Sequence, residues 1–332
     1  MERQRIQWID AVKALGIFSI YLGHFADAAG RSYRFVFIYH IPLFFFIAGC
    51  TEALNRETSC WINIKKKIKN LYLPFLMFAI FSAVLFLIEH NGDLKTVKIL
   101  ANSILLGCIR NTFIAGALWF LSCMFTMYVV FQVIKMVRYR IVILCICVLC
   151  FVFTKQAATY PKWAYNLDSA LAYLIFYCLG YLLFGTIDRL LNARDTGSRL
   201  FVCISTVGAC IYAVSFFFGR YLFEPFNVFP FIELFSPVLK AVPLIWLNIV
   251  AAYIFRESKW LAQIGKNTLY LCGSEYIVKS IVQQAFLLLG FQIEPATPLG
   301  AYVYTFFLLG LANTYFVPAE KKLQALVLKT KY

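Results

Sequence analysis

The sequence predicts an all-α polytopic membrane protein of about ten transmembrane helices, with both termini cytoplasmic. Three observations carry this reading. The 332-residue chain is 62% hydrophobic and only 14% charged, with a mean hydropathy of +0.75, outside the range of soluble domains. Its apolar runs recur at the length of about 20 residues that a hydrocarbon core demands. Its 31 Lys and Arg residues gather in alternate connections, as the positive-inside rule requires.

Spans are expected at 8–25, 35–54, 71–88, 114–134, 141–155, 169–187, 200–219, 236–255, 267–290 and 300–317. The first carries Asp10 and Lys13 and lacks a following small-residue cleavage pattern, so it reads as a retained helix and not a signal peptide. In the second, Pro42 suits a first helical turn, where a missing N–H costs nothing. The third opens directly after the basic run Lys65-Lys66-Lys67-Ile68-Lys69. The fifth is short, and the eighth is interrupted by Pro237 and Pro243. An apolar patch at 99–109 reads as an interfacial or re-entrant helix. With the N-terminus inside, the inner segments hold Arg3 and Arg5, Arg56 with the lysine run, Lys135 to Arg140, Arg189 to Arg199, Arg256 to Lys266, and Lys321 to Lys331. Well over half of the cations then lie on one side. No connection is long enough for a soluble domain, so residues 1–332 read as one membrane-embedded domain.

The same pattern excludes other classes. A net charge of +15 would suit nucleic acid, but the cations sit in short loops between apolar runs, so the expected partner is the lipid bilayer. The 11 cysteines form no paired CxxC spacing and have no histidine cluster nearby. Neither a metal site nor a disulfide framework is expected, and they read as small packing residues.

Chemistry is sought where ionisable groups meet apolar runs, because such groups are costly in a bilayer unless they face protein or water. Lys13 and His24 are eleven residues apart, three helical turns plus roughly 20°, so they share a face about 16 Å apart along the axis. Asp10 lies on the same face. A free imidazole titrates at about pH 6.5, which suits histidine to take a proton from a hydroxyl. The alternative for His24 is an interfacial side chain bonding a carbonyl. Asp10 and Lys13 are spaced to pair, or Lys13 snorkels to the inner interface. His40, just before Pro42, is expected near the N-cap of the second span on the outer side with His24, as a chemical group or a helix anchor. Lys65, Lys66 and Lys69 either set topology and bind anionic lipid or cradle the phosphates of a nucleotide cofactor, since Lys66 and Lys69 share a face. Glu275 and Lys279, four apart in the ninth span, can neutralise each other, as structural glue or as the wall of a polar cavity.

Taken together, Arg5-x-x-Trp8-Ile9-Asp10-x-x-Lys13-x-x-Gly16 leading to Gly23-His24, and Tyr39-His40-Ile41-Pro42-Leu43-Phe44-Phe45-Phe46-Ile47-Ala48-Gly49, resemble the acyltransferase-3 family of integral membrane acyltransferases, including its fucose 4-O-acetylase-like group. Weaker echoes follow in family order: the basic run before Leu73-Pro74-Phe75, then Leu118-Trp119-Phe120-Leu121, Phe176 to Tyr181, and Ile264-Gly265-Lys266-Asn267-Thr268-Leu269.

The resemblance implies a ten-helix domain that moves an acyl group, usually acetyl from acetyl-CoA, onto a hydroxyl. Its acceptors are cell-surface or secreted carbohydrates, lipid-linked or polymeric, at the bacterial cytoplasmic membrane. By position His24 matches the family's essential histidine, and Lys13 stands where relatives have arginine or lysine. Lys66 and Lys69, with Lys65 beside them, match a basic motif linked to acyl-CoA. Lysine keeps the charge there but loses arginine's bidentate phosphate geometry. Trp119, Glu275 and Lys279 fall on the substrate path. Many relatives place a histidine where this chain has Cys272-Gly273-Ser274-Glu275. The rival reading is a transporter or flippase for a lipid-linked glycan, although no inverted repeat is visible. Aromatics in the connections at 89–113, 155–168 and 219–235 would either stack on acceptor sugars or form the membrane belt.

Overall fold

The structure, a computed structural model, describes residues 6–55, 59–219 and 230–328. Arg3, Arg5, Arg56, Arg220, Lys329 and Lys331, and most of the 219–235 connection, lie outside the described residues. Every regular element among the described residues is helical. Among the described residues, seven helical stretches are long and apolar enough to cross a bilayer. The chain is an all-α, multi-pass membrane protein.

The chain divides into two units. The first comprises Met1–Arg56, Phe176–Thr268 and Ala296–Tyr302. It contains α1 (Gln7–Gly23), α2 (Arg31–Ala53), the later part of α8 (Leu167–Asn192), α9 (Thr196–Phe217), α10 (Pro230–Ile254) and α11 (Lys259–Lys266). α1 is wrapped by α2, α10 and α11. Its buried residues, among them Trp8, Val12, Ile17 and Tyr21, point in all directions around the axis, the pattern of a helix with no lipid-facing side.

Two seams hold this unit by direct backbone approach. A Cβ at Gly49 would lie 1.9 Å from the Tyr177 carbonyl oxygen, and one at Gly180 would lie 1.9 Å from that of Phe46. The second motif and the Phe176–Tyr181 echo are thus the two halves of the α2–α8 contact. A Cβ at Gly265 would likewise lie 1.9 Å from the Asp10 carbonyl oxygen, locking α11 onto α1. Gly265→Ala is expected to destabilise the protein by about 3 kcal/mol, the upper end for overpacking, because backbone must move and no flexible side-chain tip can give way. The check is a thermal melt in detergent, where an unchanged midpoint would contradict the contact.

The second unit comprises Glu57–Ile175, Leu269–Pro295 and Val303–Tyr332. It contains α3 (Cys60–Lys67), α4 (Leu73–Glu89), α5 (Leu94–Leu105), α6 (Leu118–Ile134), α7 (Arg140–Thr159), the start of α8, nearly all of α12 (Thr268–Gly273), α13 (Glu275–Leu288), the later part of α14 (Pro298–Leu311) and α15 (Val317–Leu328). α3 and α4 are joined through one π-helical turn, Ile68–Tyr72, and α14 and α15 through another, Ala312–Phe316. Each turn is followed by a proline, Pro74 and Pro318. A proline ring crowds the carbonyl four residues back, here Asn70 and Thr314, and both fall inside the widened turns. The basic run Lys65–Lys69 is therefore carried on a helical extension and through a π turn, not on a loop.

Several expectations need correction. The second helix begins at Arg31 and not at residue 35, so His40 lies well inside α2 and not at its N-cap, and Pro42 is interior. The cause is the connection after α1, which is shorter than expected: a single 3₁₀ turn, Ala26–Ala29, ends at Gly30 with φ of 56°. The ninth span is not one helix. It breaks at Ser274, where Gly273 approaches the Phe78 ring so closely that a Cβ would sit 2.2 Å away; Gly–Ser pairs are common kink sites. The patch at 99–109 needs no correction, since it reads as a helix and overlaps the 12-residue helix α5. Pro237 and Pro243 leave α10 continuous over 25 residues.

Candidate active site

In the first unit, Asp10 and Lys13 face each other at 4.0 Å, one turn apart on α1, with Asp10 only 3% exposed. Beyond them Ser19 Oγ and Tyr39 Oη lie 3.0 Å apart between α1 and α2. α1 ends at His24, which acts as its C-cap: the backbone N–H bonds the Ile20 carbonyl at 3.1 Å. That side chain is half-buried. His40 is buried on the adjoining helix, its Nδ1 donating to the Val36 carbonyl at 2.7 Å. Since that carbonyl only accepts, Nδ1 carries the proton and Nε2 of the neutral ring keeps a lone pair. Val36 and Phe37 also receive the end of α1 at Gly23, which brings the two imidazoles within electrostatic reach of one another. Thus Asp10, Lys13, His24 and His40 share one unit, with the carboxylate–ammonium pair at one end of α1 and the histidines at the other.

Lys65, Lys66 and Lys69 belong to the second unit and are exposed. Lys65 lies over the Trp61 ring at 5.4 Å, and the neighbouring Lys67 over Tyr128 at 4.9 Å. Exposed ammonium groups carried on a helix and its π turn suit an anionic phosphate group. Glu275 and Lys279 form an ion pair on α13, with Glu275 buried and Lys279 half-buried. Glu89, at the end of α4, accepts hydrogen bonds from Ser280 and Tyr276 on the same helix α13. Among the described residues, no group of three or more His, Cys, Asp or Glu is arranged to hold a metal ion.

Trp119 lies in a polar knot that sequence reasoning missed. The Arg110 guanidinium sits 5.0 Å from the centre of the Trp119 ring and donates to the Ala158 carbonyl. Asn166 accepts from the Arg110 backbone N–H at 2.8 Å and donates to Ser122 Oγ at 2.9 Å. Asp168, fully buried, accepts from the backbone N–H groups of Lys162 and Trp163 at 2.8 and 3.0 Å. The chain reaches this arrangement through left-handed residues at Cys108, Tyr165 and Asn166, with φ of 50°, 55° and 54°. The signal was present in Tyr165-Asn166-Leu167-Asp168, because Asn and Asp just before an apolar helix mark turns and caps.

Comparison with curated proteins and with solved structures returns no match. A family model described as an acyltransferase domain matches residues 6–314, which takes in the first motif from Trp8 onward, the whole of the second and every weaker echo. A helical membrane protein whose first buried helix carries a charged pair and ends on a histidine, and which matches that model over nearly its whole length, belongs to the acyltransferase-3 family of membrane acyltransferases.

Proposed function

We propose that the protein is an O-acetyltransferase of the bacterial cytoplasmic membrane, moving acetyl from acetyl-CoA to a hydroxyl of an extracytoplasmic carbohydrate or its lipid-linked precursor. In this reading the domain has ten crossings with both termini cytoplasmic. The observation that carries the proposal is the meeting of two imidazoles at the end of α1: a half-buried His24, beside a second imidazole whose proton is assigned by a carbonyl. His24 takes the proton of the acceptor hydroxyl as the oxygen attacks the thioester carbonyl. The carbon–sulfur bond breaks, and CoA leaves as the thiolate to be protonated. Attack by His24 itself, with the acetyl then passed to the acceptor, uses the same side chain. His40 orients acceptor or imidazole, and the Asp10–Lys13 pair keeps the polar face of α1 neutral within the bundle.

Lys65, Lys66 and Lys69 take the phosphates of the donor. Lys66→Ala and Lys69→Ala are each expected to raise KM for acetyl-CoA about tenfold, the worth of one charge-assisted contact, with KM for the acceptor unchanged. Steady-state kinetics with both substrates varied measure this, and equal effects on both KM values would remove the lysines from the donor site.

The break between α12 and α13 at Ser274, beside the Glu275–Lys279 pair, favours a second reading, because discontinuous helices with internal charges also build transporter sites. Membranes given radiolabelled acetyl-CoA separate the two. Label entering glycan supports the transferase, whereas glycan crossing the membrane with no acyl donor present supports the flippase.

A further inference from the structure

We propose that the cavity between α8, α9 and α10 is the seat of a tightly held anionic phospholipid. One acyl chain fills the cavity, and the phosphate rests against the basic α8–α9 connection. The site lies wholly in the first unit and does not depend on the acetyltransferase reading.

The cavity has a volume of about 710 Å³, within the range of pockets that bury a drug-sized ligand. Its wall is formed by side chains such as Leu183, Ile187, Phe201 and Val242, with Gly208 opening space in the middle of α9. Leu183, Phe201 and Val242 are 42%, 56% and 42% exposed, so the cavity opens at the surface through apolar side chains, where the bilayer lies.

Two features select a phospholipid over plain hydrocarbon. Trp246 lines the cavity, and its indole N–H is buried and meets no acceptor among the described residues. An unmet buried donor is costly and uncommon, and a hydrocarbon tail offers it nothing, whereas the ester carbonyl near a phospholipid head does. The second feature is charge. Arg189, Arg194 and Arg199 are exposed around the α8–α9 connection, with Arg189 next to the lining residue Leu190 and Arg199 two residues before Phe201. The two carboxylates there are already engaged: Asp188 accepts from Trp8 Nε1 at 3.1 Å, and Asp195 caps α9 through the Ser198 N–H at 2.8 Å. A basic connection above an apolar slot matches an anionic head above its chain.

The test is lipid retention by the purified full-length protein in mild detergent, measured by native mass spectrometry with phosphatidylglycerol and phosphatidylcholine in competition. About one phospholipid per chain should be retained, with phosphatidylglycerol preferred. Gly208→Phe should abolish retention, since a Cβ at Gly208 meets no atom within 4 Å and the ring enters empty space. Trp246→Phe should weaken binding about fivefold, the worth of one hydrogen bond. Arg194→Gln and Arg199→Gln should each reduce the phosphatidylglycerol preference about fivefold. Undiminished retention in a Gly208→Phe protein that melts normally overturns the site. Equal binding of the two lipids by the wild-type protein overturns the anionic head. If Gly208→Phe does not fold, unchanged lipid affinity across Trp246→Phe and the arginine variants overturns the proposal instead.

Discussion

His24→Ala is expected to lower acyl transfer by roughly 10²–10⁴-fold, the range for removing a positioned general base. Membrane insertion and the thermal midpoint should hardly change. That separation follows from how α1 ends: its last turn is closed by the backbone N–H of His24 on the Ile20 carbonyl, an interaction any residue supplies. His40→Ala should behave differently. Its ring is buried and donates to the Val36 carbonyl, so the change should lower both activity and stability, the latter by about 1 kcal/mol. Acetyl transfer to isolated membranes, read beside a detergent melt for each variant, distinguishes the two histidines. Wild-type turnover in an inserted His24→Ala protein would assign the base elsewhere.

Lys279→Met is expected to be among the most destabilising single changes in the second unit, by about 3–5 kcal/mol. Lys279 and Glu275 pair one turn apart, with their side chains only 18% and 5% exposed, and removing one member of a buried pair leaves the other charge poorly compensated. The double variant Glu275→Gln with Lys279→Met should recover much of that loss, because neither charge then needs a partner. A double-mutant cycle on detergent melts measures the coupling. Purely additive losses would mean that the pair is not an energetic unit.

The helices were readable from the sequence because lipid imposes a length and a composition that any window of residues shows. The candidate site was readable at the level of individual residues, since Asp10, Lys13 and His24 stand out as polar groups in an apolar helix. What stayed hidden depends on partners distant in the chain. Gly49, Gly180 and Gly265 were visible in motifs, but only the packed helices show that each touches another helix's backbone. The break at Ser274 needs the Phe78 ring against Gly273. His40 was placed wrongly because proline at a helix start is the better local guess, and the first turns of α2 carry no stronger local signal to extend the helix back to Arg31.

The π turn at Ile68–Tyr72 behaves as a one-residue insertion absorbed within a helix. One extra residue offsets everything before it by about 100° around the axis relative to a regular helix. The direction in which Lys65 and Lys66 point is therefore set by residue count and not by their own identities. Deleting a single residue from the turn would leave every lysine in place in the sequence, yet swing the basic face more than a quarter of the way round the helix. Length in this segment is accordingly a determinant of where the basic face points, separate from charge.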